Sequence, residues 1–428
     1  MTVFHGREHF IPLRKADLAG VLTSRAPEQE RMGWLKFFGI NSALFHHYFQ
    51  IQLDQLKDLY AQFDPDLDTL PVATPGVASV PELEQEMAFF EVLDRLLQQA
   101  NFRQLTWDEV LDSQNRSSIL GVRMRVDSSV FERIQVHVRG SAISTTRRAN
   151  WWRLWEPKEH TTQVHQRMVL SFRLKEGQAS HADLSHHGIH IKLFRRIPRN
   201  DVEMLMPGAR ILLTGFDLGM IGFPLFSGLV LVVGNAILAI FSAGVSVLAG
   251  LVSWSVALAM GGYGFRSFSA WQARRNQYNL KVNRHLYFQK LDSNLGALLR
   301  LLDEAEEQEC RETWLAYYCL VRSAPAEGWS ASELDNHCEL LLNEISGCQV
   351  DFEVEDSLRK LMRLGIVMET GGKYRALPLD QAITALDKIW DDLFPGQAHN
   401  LNEGAIRLSR ILSRPVITPG GPVVSRKS

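Results

Sequence analysis

The spacing of hydrophobic and polar positions changes character several times along the chain. Residues 1–117 follow a helical rhythm. "ERMGWLKFFGINSALFHHYFQIQLDQLKDLYAQF" and "VPELEQEMAFFEVLDRLLQQANF" are amphipathic at helical spacing, and the Pro-rich "PDLDTLPVATPGVASVP" separates them. Residues 118–216 switch to period two. In "RIQVHVRG" Ile134, Val136 and Val138 alternate with polar partners, as do Met168, Leu170, Phe172 and Leu174 in "RMVLSFRLK" and Ile189, Ile191 and Leu193 in "IHIKLF". Such alternation predicts strands with one buried face. "NDVEMLMPG" then predicts a short capped helix and "ARILL" a last strand.

From Asp217 to Arg266 the period disappears, and no charged residue lies between those two. One membrane-spanning helix needs about 20 apolar residues. The run therefore predicts a two-helix transmembrane hairpin over 217–266, with spans near Ile221–Phe241 and Val245–Phe265 and a turn at Ser242–Gly244. One span plus a re-entrant piece is the alternative, because Pro224 and the Gly234-Asn235 pair can break the first helix. Lys192, Arg195, Arg196, Arg199 and Arg210 precede the run, and Arg266, Arg274, Arg275, Lys281 and Arg284 follow it. By the positive-inside rule both flanks are cytoplasmic. The expectation is an integral protein of a bacterial-type inner membrane with both termini cytoplasmic and lipids as partners. Ala249, Ser253, Ala257 and Gly261 form a small-residue stripe suited to close helix packing, either on the chain's own first span or in a homo-oligomer.

The helical period returns after the hairpin. Residues 267–308 predict a juxtamembrane amphipathic helix with Leu291, Leu295, Leu298 and Leu302 on one stripe. Residues 309–378 predict a winged-helix-like domain that folds alone. Its helices are "ETWLAYYCLVRS", "SASELDNHCELLLNEI" and "DFEVEDSLRKLMRLG", and its wing is "IVMETGGKYRAL". Ser330 and Glu333 make a capping box for the second helix, and Gly-Gly suits the hairpin turn. Residues 379–428 read as a C-terminal helix and a disordered tail. The fold class expected is thus an α+β membrane protein: a helical N-terminal region, a β-rich middle domain, a transmembrane hairpin and a winged-helix-like domain.

Charge changes the meaning of the winged-helix pattern. Glu309–Leu377 carries twelve acids against seven bases, and Asp351, Glu353, Glu355 and Asp356 crowd the start of the third helix. Duplex DNA affinity rests on neutralised phosphates, so no duplex DNA is expected. Lys373 and Arg375 on the wing are the expected handhold for a cytosolic protein partner.

The remaining chemistry is sparse. The chain has 428 residues and a formal net charge of −2, which excludes a surface tuned throughout to nucleic acid. Cys310, Cys319, Cys338 and Cys348 lack the close pairs of a zinc site and read as reduced thiols. The N-terminus has no signal-peptide run, and its acids argue against a transit peptide, so the first domain is expected to stay where it is made. "TTRRANWWRLWEPK" interleaves Arg147, Arg148 and Arg153 with Trp151, Trp152 and Trp155. That mixture suits an anionic membrane surface, a stacked single strand of nucleic acid, or a tryptophan cluster in the β core. "HADLSHHGIHI" offers His181, Asp183, His186, His187 and His190, which read more simply as an inter-strand loop than as a metal site. Glu306, Glu307 and Glu309 in "EAEEQE" read as a solvated helix face. No catalytic motif, cofactor motif or metal set is found, which leans away from an enzyme.

"REHFIPLRKADL", "LLQQANFRQL", "FERIQVHVRG", "IKLFRRIPRNDVEMLMPGARI", "LYFQKLDSNLGALLRLLDEAEEQECRETWLAYYCL" and "LRKLMRLGIV" occur in that order. Together they resemble the family of transmembrane protein 143, a domain of unknown function found in bacteria, plastids and mitochondria. The resemblance spans Arg7 to Phe394 and implies membrane attachment through a hairpin; it supplies no reaction and no catalytic residue. The functional expectation is an anchored scaffold or recruiting module. The alternatives are a membrane-embedded activity, either a small oligomeric pore or a lipid-facing enzyme, and a tethered DNA-binding regulator.

Overall fold

The computed structural model describes residues 3–4, 7–69, 81–114, 123–148, 158–175, 187–207, 210–212 and 287–393, with single positions between 230 and 280 and at 408, 409 and 412. Among these residues the helices are α1 Lys15–Arg25, α2 Arg31–Tyr60, α3 Glu82–Gln99, α4 Trp107–Gln114, α5 Asn294–Arg322, α6 Ala331–Ser346, α7 Val354–Arg363 and α8 Leu379–Asp391. The strands are β1 Val3–Phe4, β2 Arg103–Gln104, β3 Arg123–Arg125, β4 Phe131–Arg148, β5 Lys158–Leu174, β6 Ile189–Pro198, β7 Arg210–Leu212, β8 Lys290–Ser293, β9 Val367–Thr370 and β10 Lys373–Ala376. Two compact units result. The first takes Met1–Leu105, Phe131–Ile197 and Leu291–Ser428, and the second takes Thr106–Val130 and Pro198–Lys290.

In the first unit a six-stranded sheet runs β1-β4-β5-β6-β8, with β2 also on β4. The β4–β5 pair is antiparallel from Phe131↔Leu174 to Arg148↔Lys158. On β5, Met168, Leu170 and Phe172 are buried, and so are Val169, Ser171 and Arg173 between them. The strand is therefore covered on both faces, not on one as its alternation suggests. Val169, Ile189, Ile191 and Leu193 share a core with the helices, which explains the second covered face. Arg173 reaches that side by ion pairing with Glu86 at 2.5 Å and with Glu82, both on α3.

Helix α2 forms because its apolar residues recur at three and four positions: Trp34, Phe37, Phe38, Leu44, Phe45, Tyr48 and Phe49 are all buried. Each such side chain contributes roughly 1.5–3 kcal/mol by leaving water. Its partner is α5, a single helix of 29 residues in which every residue from Gln308 to Leu320 is buried. Phe37 stacks on Tyr317 at 4.3 Å, Trp34 meets Tyr318 at 4.9 Å, and Phe38 meets Trp314 at 4.7 Å. The boundary expected between 308 and 309 falls inside α5. Leu291, expected on the helical stripe, instead lies in β8, and the helix starts at Asn294. In the second unit β3 pairs with β7 antiparallel, and Arg199–Leu205 is a 3₁₀ helix.

The membrane expectation requires correction. Among the described residues no helix is long and apolar enough to cross a membrane. The spans placed near Ile221–Phe241 and Val245–Phe265 lie outside the described residues except at single positions such as Val230, Val233, Ile237 and Phe265, all exposed. The fold is a mixture of helix and antiparallel sheet, and neither the membrane-protein class nor the inner-membrane location is retained. An uncharged run reports apolarity alone; a span also needs an unbroken apolar helix of about 20 residues, and no described helix is one.

Candidate functional site

From Gln308 to Leu320 helix α5 is buried all round, so the polar residues there must find partners inside the protein. Glu309 and Glu312 sit one turn apart on it and are 1% and 2% exposed. Asp356 and Lys360 sit one turn apart on α7 and are 4% and 1% exposed. The crossing of the two helices brings all four together. The Lys360 ammonium donates to Asp356 Oδ2 at 2.5 Å and to Glu309 Oε2. Arg359 donates to Asp356 Oδ1 at 2.8 Å. Gln308 Nε2 and Asn101 Nδ2 donate to Glu312 Oε1 at 2.7 and 3.0 Å. Asn101 holds its amide there from a left-handed backbone (φ 56°), and also donates to the carbonyl of His9 at 2.5 Å.

Burial pushes the Asp356 carboxyl up to about 7, and the negative charge of Glu312 adds to that. Burial pulls the Lys360 ammonium well below the ordinary lysine value, assisted by Arg363. One carboxylate oxygen from each of Glu309, Glu312 and Asp356 lies within 4.8 Å of the others, the spacing of a cation site. Lys360 already supplies the cation. With all four side chains sealed from solvent, no substrate reaches them, and the cluster acts as an ionic lock between α5 and α7. A buried cluster of this kind adds little net stability when intact, because desolvation offsets the attraction, but losing one partner leaves a buried charge uncompensated.

A second ionic group lies on the sheet side of α5. Glu304 accepts from Arg139 and from Arg167 at 3.2 Å, and Arg139 also donates to the carbonyl of Ala100 at 2.9 Å. Burial draws the Arg139 guanidinium down to about 10. An open groove is lined by Arg25, Tyr318, Arg322, His337, Leu340 and Glu344. Its cations are already engaged: Arg25 with Glu344 at 2.9 Å and Arg322 with Glu30 at 3.4 Å.

The residues singled out from sequence are scattered. Arg147 and Arg148 end β4 opposite Glu159 and Lys158, while Trp151, Trp152, Arg153 and Trp155 lie outside the described residues. So do Ala249, Ser253, Ala257 and Gly261, and His181, Asp183 and His186. His190 is buried and stacks on Phe172 at 5.1 Å, whereas His187 is exposed. Cys310, Cys319, Cys338 and Cys348 are all free thiols. Glu306 and Glu309 are not on a solvated face: they are 8% and 1% exposed. Lys373 and Arg375 are exposed on β10. The carboxylate–lysine cluster was missed by the sequence reading. Its local signal is the run of polar residues Glu309, Arg311, Glu312 and Thr313 that surrounds Cys310 and leads into "WLAYYCL", which leaves the helix no polar face.

A family model described as "Protein of unknown function (DUF3754)" matches residues 154–296, about a third of the chain. No solved structure matches the chain.

Proposed function

We propose that this chain is a protein-interaction module, a scaffold or recruiting component, and not a reader of duplex DNA. The observation that carries the reading is the state of α7, the helix that would enter a major groove. Of its ten residues only Glu355 and Arg363 are exposed; Asp356 and Lys360 are consumed in the lock with α5. A DNA-reading helix needs a free face and several cations for phosphates; α7 has no free face, and Arg363 is its one exposed base. The β9–β10 hairpin, by contrast, presents Met368, Thr370, Lys373 and Arg375 to solvent. An exposed surface beside a closed helix suits contact with another protein.

The test has two arms. Full-length chain is titrated with random duplex DNA at physiological salt and followed by fluorescence anisotropy; no binding is expected. A photo-crosslinking residue is then placed at Met368 or at Leu340, another exposed apolar position, in cells making the chain. Discrete, reproducible protein adducts are expected from at least one of them. Tight duplex binding that weakens steeply with salt, or adducts from neither position, would overturn the reading.

A further inference from the structure

The hairpin β9–β10 has two unlike edges. Its turn is Gly371-Gly372 with φ of 62° and 77°, the two-residue geometry that glycine supplies and that matches strand twist. The register sets Thr370 opposite Lys373, Glu369 opposite Tyr374 and Met368 opposite Arg375. In a two-residue hairpin the pair flanking the turn exchanges hydrogen bonds, and the pairs then alternate. Thr370–Lys373 and Met368–Arg375 are therefore bonded inward, and the main-chain groups of Glu369 and Tyr374 point outward. On the β10 side those groups are used: Tyr374 N–H donates to the carbonyl of Trp329 at 2.7 Å and Trp329 N–H to the carbonyl of Tyr374 at 3.2 Å. On the β9 side the outward N–H and C=O of Glu369 have no partner among the described residues.

The same register sorts the side chains. Met368, Thr370, Lys373 and Arg375 share one face, and every one of them is exposed, Met368 to 55%. Val367, Tyr374 and Ala376 lie on the opposite face and are buried or half-buried. Neither Lys373 nor Arg375 forms an ion pair among the described residues. Glu333 is the charged neighbour that senses Lys373.

An open strand edge with an exposed methionine on it, and two uncommitted bases on the same face one strand further in, is a docking strip for an extended chain. We propose that the β9 edge takes an extended acidic segment of a partner protein as an added strand, its carboxylates on the face that carries Lys373 and Arg375, whose long side chains reach toward them across β9. This rests on the protein-interaction reading above and names the class of partner. Main-chain bonds to Glu369 give the register of the added strand, and the two bases select for negative side chains. A second copy of this chain is a poorer occupant. Paired edge to edge about a two-fold axis, it would bring Glu369 against Glu369 and add its own bases to the same face. Only four residues form β9, so the contact is weak and exchangeable.

The probe is a short fluorescent peptide of alternating valine and glutamate, titrated into the full chain. A valine–lysine peptide and a valine–glutamate peptide N-methylated at alternate residues serve as controls. The acidic peptide should bind, with affinity that falls as salt rises. Lys373→Glu with Arg375→Glu should weaken it by about tenfold or more. Glu369→Pro removes the outward N–H and leaves the hairpin's own ladder in place; it also removes a carboxylate, which alone would favour an acidic peptide, so weaker binding than Glu369→Gln in a variant that still melts cooperatively reads the lost main-chain bond. Should that variant misfold, loss of binding on N-methylation of the peptide reads the same bond from the other side. Equal binding of the lysine peptide, indifference to all three changes, or no binding of the acidic peptide would overturn the proposal. Crosslinks from Leu340 without crosslinks from Met368 would overturn it while leaving the interaction reading intact. Their absence from both positions would end both.

Discussion

A carboxyl pushed up to about 7 in a sealed site makes a statement about stability as well as about charge. Asp356 owes its displacement first to burial and then to Glu312, with Glu309 on the same helix and Lys360, Arg359 and Arg363 on its own helix as the remaining charged neighbours. Its affinity for a proton is higher folded than unfolded. The stability it contributes is therefore fully present below the ordinary carboxyl value of 3.8 and is lost as pH rises through about 7. A tenfold change in proton affinity corresponds to ~1.4 kcal/mol, so the loss is on the order of a few kcal/mol. Asp94, raised to about 6 by burial, adds a smaller loss of the same sign. Lys360, pulled well down by burial, contributes in the opposite direction, with stability rising as pH climbs from its lowered folded value to 10.5. The melting temperature should thus fall between pH 5.5 and 8. Asp356→Asn, which cannot titrate, should flatten that part of the profile, and calorimetry on both proteins at matched ionic strength measures the difference. An identical slope in the two would place the pH dependence elsewhere.

Single elements show where local pattern suffices and where it fails. Helix α6 begins where its capping box lies: Ser330 caps the backbone N–H of Glu333, and the Glu333 carboxylate accepts from Ser330 N–H at 2.7 Å. The wing is closed on its inner side by a residue whose role no local pattern announces. Gly328 stands at φ 85°, and a Cβ there would lie 2.4 Å from the carbonyl oxygen of Tyr374. Gly328→Ala should therefore detach Trp329 from β10 and cost more than the ~1 kcal/mol expected for Ser330→Ala. Chemical denaturation followed through tryptophan emission tests that order; equal losses would show that the strand segment yields easily. Helix and strand periods, caps and the glycine turn are local properties, and they were legible. The start of α5 was not, because Leu291 belongs to a strand defined by β6, a pairing about a hundred residues away that no window reveals. The lock was hidden for the same reason: Glu309 and Lys360 are 51 positions apart, and each alone looks like an ordinary charged residue on an amphipathic helix.

At the scale of the whole chain, the winged-helix segment is a part of the first unit and not an appendage to it. The central helix passes through position 309 without a break, and its rings Trp314, Tyr317 and Tyr318 are packed by Phe38, Phe37 and Trp34 of α2. From the other end of the chain Glu8 pairs with the segment as well, donating its N–H to the carbonyl of Gln349 at 3.0 Å and accepting from Asp351 N–H at 2.7 Å. The same Glu8 carboxylate accepts from Ser141 N–H on β4 at 2.9 Å, which ties sheet and segment to one residue. Helix α8 returns over α2, where Leu379 Cδ2 lies 2.9 Å from the position a Cβ on Gly33 would take. Cut out as 309–377, the segment would expose three aromatic rings, each worth roughly 2–3 kcal/mol of lost burial. It would also lose Asn101, which satisfies Glu312. A domain of this size is marginal before any such loss. The fragment 309–377 expressed alone should therefore show little helical signal and no cooperative melt. Adding a fragment of residues 7–69 should restore part of both, since it returns α2 and Glu8. A sharp melt of the isolated fragment with ordered aromatic circular dichroism would show instead that the segment carries its own core, and that the continuous helix is a tether between two independent bodies.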